Sequence, residues 1–378
     1  MLERLAADLF SLRRADQFRT LACPSGIQLG SNDYLGLSTH PALKQAVATA
    51  LEHDLRFAST GSRLLSGNHE RWEQLESEFA GILGTEAALY FPTGYMANIG
   101  LLSSILNPED TVFSDAANHA SLIDGIRLSQ ARKAIVPHLD LNYLEHGLRQ
   151  EKSRGQKIVV LEGIFSMEGD RAPLQDVLSL CDRFDAYLIL DEAHSFGVDG
   201  SEGKGLANAI GRTDRILATV HPCGKAIASF GAFVAGSHVL RDFLINRARS
   251  FMFTTALPPY CAGHVRKALE LAMGAETERV HLRQLGDYLR HRLRAAGFDI
   301  GRSDSQIVPL VLGSNEAAVR FAAALVEAGF AIRPIRPPTV PLGTARLRLS
   351  LNAELSKEDI DALVSAIIGI REAEVVPE

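Results

Sequence analysis

Residues Tyr187 to Gly197 read YLILDEAHSFG. The abrupt change from apolar to polar residues within this stretch indicates how the chain folds. The run YLIL is continuously apolar, which is typical of a strand buried on both faces of a parallel sheet. Polar and small residues follow at once, beginning with Asp191. Because ligands in open α/β sheets bind at the carboxyl ends of the strands, we expect Asp191 and His194 to lie at the functional edge of such a sheet.

Five further runs of the same kind surround this stretch. They read AALYF, TVFSD, IVVLEGIF, ILATV and GAFVAG, and helix-length segments separate them. Strands alternating with helices predict an α/β fold with a mostly parallel central sheet and helices on both faces. The rhythm changes near Arg266, where a long amphipathic helix precedes SQIVPLVLG, a helical segment, RLRLSLN and a last helix from about Lys357. This part predicts a smaller α+β domain.

The sequence therefore predicts an N-terminal helix and arm over 1–36, a large domain over 37–265 and a small C-terminal domain over 266–378. With 378 residues, 46% of them hydrophobic, the chain can bury a large core. Its net charge of −6 gives no reason to expect nucleic acid or an anionic membrane as a partner, so we expect small metabolites.

The N-terminal sequence, the lack of a long apolar run and the cysteines favour a cytoplasmic protein. No apolar run approaches the roughly 20 residues of a membrane span, and MLERLAADLFSLRRADQF predicts an amphipathic helix rather than an export signal. The four cysteines are Cys23, Cys181, Cys223 and Cys261, and they lack CxxC spacing. This spacing favours a reducing compartment and gives no support for a structural zinc site.

Polar residues follow several other predicted strands. Thr93, Gly94 and Tyr95 lead into a helix, where they could bind a phosphate or form an ordinary helix cap. His119 lies in a loop that enters a helix, and Ser166 is predicted to end a strand. Taken alone, His119 could be an ordinary surface histidine, and Ser166 could be an ordinary capping serine.

Lys225 stands alone among small and apolar residues in TVHPCGKAIASFGAFVAGS, Thr219 to Ser237. An ordinary solvated or paired lysine would explain it in isolation. Together with a phosphate-binding helix and the strand end at Asp191, however, the lysine suits pyridoxal 5′-phosphate (PLP), because its amine forms a Schiff base while a carboxylate pairs with the ring nitrogen. The sequence therefore favours a PLP site.

The letters DEAH raise a rival interpretation as a nucleotide-driven motor. That chemistry needs a phosphate loop, and the two lysine-containing candidates, CGKA and EGKG, lack the required serine or threonine and the earlier glycine. We find neither GxGxxG nor GxSxG, so nucleotide-dependent redox and serine-hydrolase chemistry lack their signatures. Asp191 and His194 could contact a metal, but no third ligand is evident, and we expect none.

Nine motifs distributed over nearly the whole chain resemble the α-oxoamine synthases, a fold-type-I family of PLP enzymes. They are SNDYLGLSTHP, TGSRLLSGNH, FPTGYMANIG, NHASLIDG, EGIFSMEGD, DEAHSFGVDG, GKAIASFGAFVAGS, FTTALPP and IRPPTVPLGTARLRLS. The resemblance implies that Lys225 binds PLP covalently, that Asp191 pairs with the ring nitrogen, that His194 bonds the ring hydroxyl and that His119 stacks on the ring. The cofactor phosphate would lie at Thr93, Gly94 and Tyr95.

The resemblance also implies a homodimer with shared active sites, in which Thr255 reaches the phosphate of the neighbouring subunit's cofactor. Ser166 would line the cofactor site on its substrate side, together with Asn32. Arg348 would bind the carboxylate of the amino acid, and Arg19 would lie toward the distal end of the acyl chain. One departure is Pro222, where many relatives have threonine; any contact that threonine makes must be lost or supplied by His221 or Thr219.

The implied reaction condenses an amino acid with an acyl thioester, with loss of carbon dioxide. The stretch Ile335 to Ser350 favours the branch that takes L-alanine and a pimeloyl thioester, carried by coenzyme A or by acyl carrier protein. Alternatives remain open at this point: a sister synthase such as glycine C-acetyltransferase (2-amino-3-ketobutyrate CoA ligase), another acyl-CoA condensation such as 5-aminolevulinate or sphingoid-base formation, and a catalytically silent homologue with a binding role.

Overall fold

The computed structural model describes residues 1–22, 25–53, 56–152, 154–211 and 215–375. In chain order the elements of the first half are α1 (Leu2–Arg14), β1 (Ile27–Gln28), α2 (Pro41–His53), α3 (Glu70–Leu83), β2 (Ala87–Phe91), α4 (Gly94–Ile105), β3 (Thr111–Asp115), α5 (Ala120–Ser129), β4 (Arg132–Val136), α6 (Leu141–Gln150), β5 (Lys157–Glu162), α7 (Leu174–Phe184) and β6 (Ala186–Asp191). Those of the second half are α8 (Leu206–Ala209), β7 (Ile216–Pro222), β8 (Ala232–Gly236), α9 (His238–Arg247), α10 (Arg249–Met252), α11 (Tyr260–Gly274), α12 (Glu276–Ala295), β9 (Ile307–Gly313), α13 (Asn315–Glu327), β10 (Phe330–Ala331), β11 (Pro334–Ile335), β12 (Ala345–Ser350) and α14 (Lys357–Val375).

The chain divides into two compact units. The larger comprises residues 35–166 and 171–279, and the smaller comprises 1–34, 167–170 and 280–378. These bounds differ from the predicted segments because α11 packs on α2 and α3 and so belongs to the larger unit, whereas β1 pairs with β10 and joins the N-terminal segment to the C-terminal one. The predicted small domain therefore loses α11 and gains the N-terminal segment.

The larger unit is built on a seven-stranded sheet in the order β2-β8-β7-β6-β5-β3-β4. Every strand is parallel except β8, which runs antiparallel to both of its neighbours. The predicted mostly parallel sheet is therefore confirmed. The edge strand β4 was not predicted, because its sequence RKAIV is largely exposed and lacks the continuous apolar run of a buried strand.

Helices cover both faces of this sheet, as predicted. Ile158 and Val160 of β5 pack with Leu101 of α4 in one apolar cluster. The alternating residues Val159 and Leu161 of the same strand pack in a second cluster with side chains of α6 and α7. Since successive side chains of a strand point to opposite faces, β5 is buried on both, which explains its continuous apolar sequence.

The smaller unit contains an antiparallel sheet in the order β11-β12-β9, followed in the chain by α14. Its elements match the predicted α+β pattern, including the last helix from Lys357. One expectation was wrong: the single long helix predicted near Arg266 is two helices, α11 and α12. The Arg279 guanidinium donates to the carbonyl oxygens of Ala272 and Met273, at 2.6 and 3.0 Å, and so caps the end of α11.

Three further observations concern the described residues only. None of their helices has the length and hydropathy that a membrane span requires. Their side chains form no cluster of three or more His, Cys, Asp or Glu that could hold a metal ion. Cys181, Cys223 and Cys261 are buried free thiols, while Cys23 lies outside the described residues.

Candidate active site

Three neighbouring strands of the larger unit end side by side, with polar side chains at or just after their ends. Glu162 and Asp191 are the last residues of β5 and β6 and are paired in register. The neighbouring strand β7 ends at Pro222, and Lys225 follows in a tight turn, in which its carbonyl oxygen accepts from the Ala228 amide at 2.7 Å. The parallel strands thus bring the predicted residues Asp191 and Lys225 to one edge of the sheet.

Lys225 and His194 contact one another directly. The Lys225 Nζ atom lies 2.8 Å from Nε2 of His194, whose ring is buried. Lys225 itself is half-buried. An amine held against an imidazole at hydrogen-bond distance has a defined position and a nearby group with which it can exchange a proton.

The Asp191 carboxylate is held by two donors. Its Oδ2 accepts from Nδ2 of Asn98 at 2.7 Å, and its Oδ1 accepts from the backbone amide of Ala193 at 2.9 Å. Asp191 is only 3% exposed. The orientation of the carboxylate is therefore fixed by the protein, as a partner for a ring nitrogen must be.

His119 precedes α5 and caps it, because its Nδ1 accepts from the Ser121 amide at 3.3 Å. The same nitrogen lies 2.8 Å from the Ser121 hydroxyl, and that hydroxyl also contacts Nδ2 of Asn98. Partial removal from water lowers the pKa of His119 and the Lys225 ammonium lowers it further, against the opposing effect of the Asp191 carboxylate. Asn98 and Ser121 were not among the residues predicted for the site.

Glu162 is a third residue that the sequence did not suggest. It is 1% exposed, and its Oε2 accepts from the Ser166 amide at 3.2 Å. Burial raises the pKa of Glu162 to about 8, and the neighbouring Asp191 carboxylate adds to this effect, while Lys225 opposes it. Ser166 was expected to end a strand, but β5 ends four residues earlier, at Glu162. The Glu162 side chain holds Ser166 in the turn that follows.

We expect the Glu162 carboxyl to make stability depend on pH. Between its ordinary pKa of 4.5 and about 8, the folded protein keeps a proton that the unfolded chain releases, so the free energy of unfolding falls as pH rises. One proton sets an upper limit of about 1.4 kcal/mol per pH unit. Urea unfolding of wild type and Glu162→Gln at pH 6 and pH 8 measures this, since the glutamine variant should show a flatter dependence. Equal slopes in both proteins would contradict the expectation.

The predicted phosphate position lies at the start of α4. Thr93 caps this helix by accepting from the Met96 amide at 3.1 Å, and Gly94 and Tyr95 are its first residues. A Cβ atom on Gly94 would lie 2.9 Å from Cγ of Pro222, so glycine is required at the close approach of these two segments. The first amides of a helix have no partner within the helix, which makes this position suitable for an anion.

The structure does not place His221 or Thr219 where either could supply a threonine contact at Pro222. His221 Nε2 bonds the Thr219 hydroxyl at 2.7 Å, and the His221 ring packs edge-on against Phe79 and Phe196. Burial lowers the pKa of His221 to about 3. Because side chains alternate along β7, His221 and Thr219 lie on the opposite face of the strand from Pro222.

The remaining predicted residues lie in different places. In the smaller unit, Arg348 donates to Oδ1 of Asn32 at 2.9 Å and to the Tyr34 hydroxyl at 3.1 Å, so Asn32 and Arg348 are together. Arg19 belongs to the same unit and is exposed. In the larger unit, Thr255 is exposed between α10 and α11.

Comparisons with known proteins show the family of this chain. The family pattern of aminotransferase class I and II matches residues 24–367. The 8-amino-7-oxononanoate synthase of Geobacter sulfurreducens is 41% identical over 98% of this chain and 98% of its own length. The chain belongs to the 8-amino-7-oxononanoate synthase family. The family predicted from the sequence motifs is thereby confirmed.

Solved structures of the synthase family and its relatives have the same fold. The 8-amino-7-oxononanoate synthase of Francisella tularensis gives a TM-score of 0.81 at 29% identity, covering 93% of this chain and 99% of its own. A structure of SPT (serine palmitoyltransferase) solved with PLP gives 0.89 at 30% identity, covering 98% of each chain. The predicted fold-type-I transferase fold is confirmed.

Proposed function

We propose that the protein uses PLP to condense L-alanine with a pimeloyl thioester, releasing carbon dioxide and giving 8-amino-7-oxononanoate for biotin synthesis in the cytoplasm. The observation that carries this proposal is the arrangement of Lys225, His194 and Asp191 at one sheet edge in a chain of the synthase family. The SPT relative solved with PLP supports the choice of cofactor.

The residues at this edge fit PLP. The Lys225 amine would bind it covalently, the fixed Asp191 carboxylate would hold its ring nitrogen and His194 would bond its ring hydroxyl. The start of α4, at Gly94 and Tyr95, would bind its phosphate, and His119 would stack on its ring. When bound, PLP withdraws electrons from the α-carbon of the amino acid and so makes its α-proton acidic.

The protein's own groups then handle the proton and the substrate. The Lys225 amine would remove the α-proton of the amino acid and later return one, with His194 within hydrogen-bond distance. Arg348 would bind the carboxylate of L-alanine, because a planar guanidinium forms two parallel hydrogen bonds with a carboxylate. Asn32 and Tyr34 already fix the orientation of this guanidinium. Ser166 would line the site on the substrate side.

The acyl chain is proposed to end near Arg19. In the smaller unit Arg19 lines a cleft of about 760 Å³ together with Arg333 and Arg336, and Val319 and Val326 of α13 form part of its apolar wall. A chain of methylenes with a terminal carboxylate suits an apolar cleft that carries arginines. This supports a pimeloyl group rather than an uncharged acyl chain.

We also propose a homodimer in which Thr255 binds the phosphate of the partner subunit's cofactor. Two large apolar side chains, Leu65 and Phe253, are 82% and 69% exposed. Their loops are joined by the hydrogen bond from the Ala256 amide to the Gly61 carbonyl oxygen, at 3.0 Å. Exposed apolar surface of this kind beside Thr255 is what a second copy would cover.

The decisive experiment assays the purified protein with a panel of amino acids and acyl thioesters, on coenzyme A and on acyl carrier protein. We expect carbon dioxide release from L-alanine only when a pimeloyl thioester is present, with 8-amino-7-oxononanoate as product. If glycine with acetyl-CoA were the faster pair, a glycine C-acetyltransferase activity would replace the proposal.

Arg348→Lys serves as the matched variant in this assay. It keeps the positive charge but loses the planar fork, so the use of alanine should weaken by about 1 to 3 kcal/mol in kcat/KM. Covalent binding of the cofactor at Lys225 should be unchanged. An unaltered KM and kcat for alanine would remove Arg348 from the substrate site without affecting the choice of substrates.

A further inference from the structure

A chain of hydrogen bonds runs from Asp191 through two side chains to His119. Asn98 of α4 donates through Nδ2 to Asp191 at 2.7 Å and to the Ser121 hydroxyl oxygen at 2.9 Å. The Ser121 hydroxyl in turn lies 2.8 Å from Nδ1 of His119. Asn98 and Ser121 are each 1% exposed, so the chain is closed to water between its two ends.

The donors and acceptors in this chain can be assigned. The Asn98 amide has two hydrogens, and both are used, one toward Asp191 and one toward Ser121. Rotating the amide by 180° would place its oxygen against the Asp191 carboxylate oxygen, which is repulsive. The Asp191 carboxylate therefore fixes the orientation of Asn98, although oxygen and nitrogen of an amide are otherwise hard to distinguish.

The same reasoning determines the protonation of His119. The Ser121 hydroxyl oxygen receives a hydrogen from Asn98, which leaves its own hydrogen to point toward Nδ1 of His119. The backbone amide of Ser121 also donates to this nitrogen, at 3.3 Å. Because two donors converge on Nδ1, that nitrogen must be unprotonated, and a neutral ring carries its proton on Nε2.

We propose that Asn98 and Ser121 are positioning residues that couple Asp191 to His119 and hold the His119 ring as the neutral tautomer with its proton on Nε2. In this state His119 offers a hydrogen-bond donor and a flat, uncharged face, and it cannot accept a proton at Nδ1 without breaking two hydrogen bonds. Its role toward cofactor and substrate rests on the proposed function, whereas its tautomer follows from the protein alone.

The charged groups around His119 agree with a neutral ring. Partial removal from water lowers the pKa of His119, the Asp191 carboxylate opposes this effect, and the Lys225 ammonium adds to it. The backbone of His119 also bonds the buried Glu162 side chain. The net effect lowers the pKa of His119 from its ordinary value of 6.5, which favours the neutral ring.

The first test is ¹⁵N NMR of the wild-type protein labelled at histidine, with and without PLP. The His119 signals are assigned by their loss in His119→Asn. We expect an unprotonated Nδ1 and a protonated Nε2 at pH 7.5 in both forms. A proton on Nδ1, or a doubly protonated ring, would overturn the proposal without need of any further variant.

Variants then test the positioning residues themselves. Ser121→Ala should shift the tautomer ratio of His119 about five-fold toward Nδ1–H, as expected for one lost hydrogen bond, whereas Ser121→Thr should restore the wild-type ratio. Asn98→Ala should shift it in the same direction and speed the release of PLP. Ser103→Ala is the control, because the Ser103 hydroxyl bonds its own helix at Ile99.

An unchanged His119 tautomer in both Ser121→Ala and Asn98→Ala would contradict the coupling. If the tautomer behaves as expected while the wild-type protein fails to make 8-amino-7-oxononanoate, only the proposed function is wrong. The two failures are therefore distinguishable.

Discussion

Lys225→Ala is expected to lose at least about 10³-fold in turnover and to lose covalent attachment of PLP, because the variant lacks both the amine that binds the cofactor and the base that removes the α-proton. Borohydride reduction of the wild-type protein, followed by peptide mapping, should place the cofactor on Lys225. The same treatment of Lys225→Ala should leave the peptide unlabelled. This is the largest single effect that the site predicts.

Lys267→Ala is a suitable control for this experiment. Lys267 lies on α11 in the larger unit and pairs with Glu270 at 2.7 Å, so its loss removes a lysine without touching the sheet edge. It should retain wild-type labelling and turnover. Label on any lysine other than Lys225, or full activity in Lys225→Ala, would refute the assignment of the covalent residue.

Asp191→Asn should retain PLP better than it retains activity. An amide can still hydrogen-bond to the ring nitrogen but carries no charge to keep that nitrogen protonated, so we expect exchange of the alanine α-proton to slow by roughly 10³-fold. The structure indicates that the substitution also loses a hydrogen bond within the protein. Both Asp191 oxygens accept from protein donors, and either orientation of an asparagine amide would turn its NH₂ group against Ala193 or Asn98.

The measurement is exchange of the alanine α-proton with deuterated water, followed by NMR, beside the PLP dissociation constant of each protein. Asp242→Asn is the matched control, since Asp242 is exposed on α9 and pairs with the neighbouring Arg241. Near-normal exchange in Asp191→Asn would show that the carboxylate does not support electron withdrawal. Equal losses of PLP and activity would assign Asp191 a binding role alone.

The parts of the fold that could be predicted are those in which burial is visible in the sequence. Runs such as LYF and LIL are apolar at every position because both faces of their strands are covered. The two-residue strands β1 and β10 gave no such signal. Their pairing depends on backbone hydrogen bonds between distant segments, and such bonds leave little trace in local composition.

The residues of the candidate site also divide into those that the sequence predicts and those that it does not. Asp191 and Lys225 could be predicted as neighbours because strand ends and an isolated lysine are visible along the chain. Asn98, Ser121 and Glu162 were missed, because each matters only through a partner on another element. Asn98 offers a weak signal in retrospect, since it lies four residues after Gly94 on α4 and is a polar side chain among apolar ones.

The contact between Gly94 and Pro222 likewise could not be predicted, because it joins residues of two different elements. Neither residue alone indicates a close approach of α4 to the end of β7, and glycine at the start of a helix has several ordinary explanations. The approach becomes apparent only when a Cβ atom is placed on Gly94 and meets the proline ring. Spatial exclusion of this kind cannot be read from spacing along one segment.

The composition of the smaller unit bears on how the protein is made. Ile27 of β1 pairs with Phe330 of β10, about 300 positions later, and Gly169, from the middle of the chain, accepts backbone hydrogen bonds from Asp304 and Ser305. The ribosome therefore synthesises the larger unit, which ends at Arg279, before β10, the strand that pairs with β1, emerges. During that interval the N-terminal segment has no β10 to pair with. Closing so long a loop comes late in folding, and an early stop in translation would leave residues 1–34 without their partners.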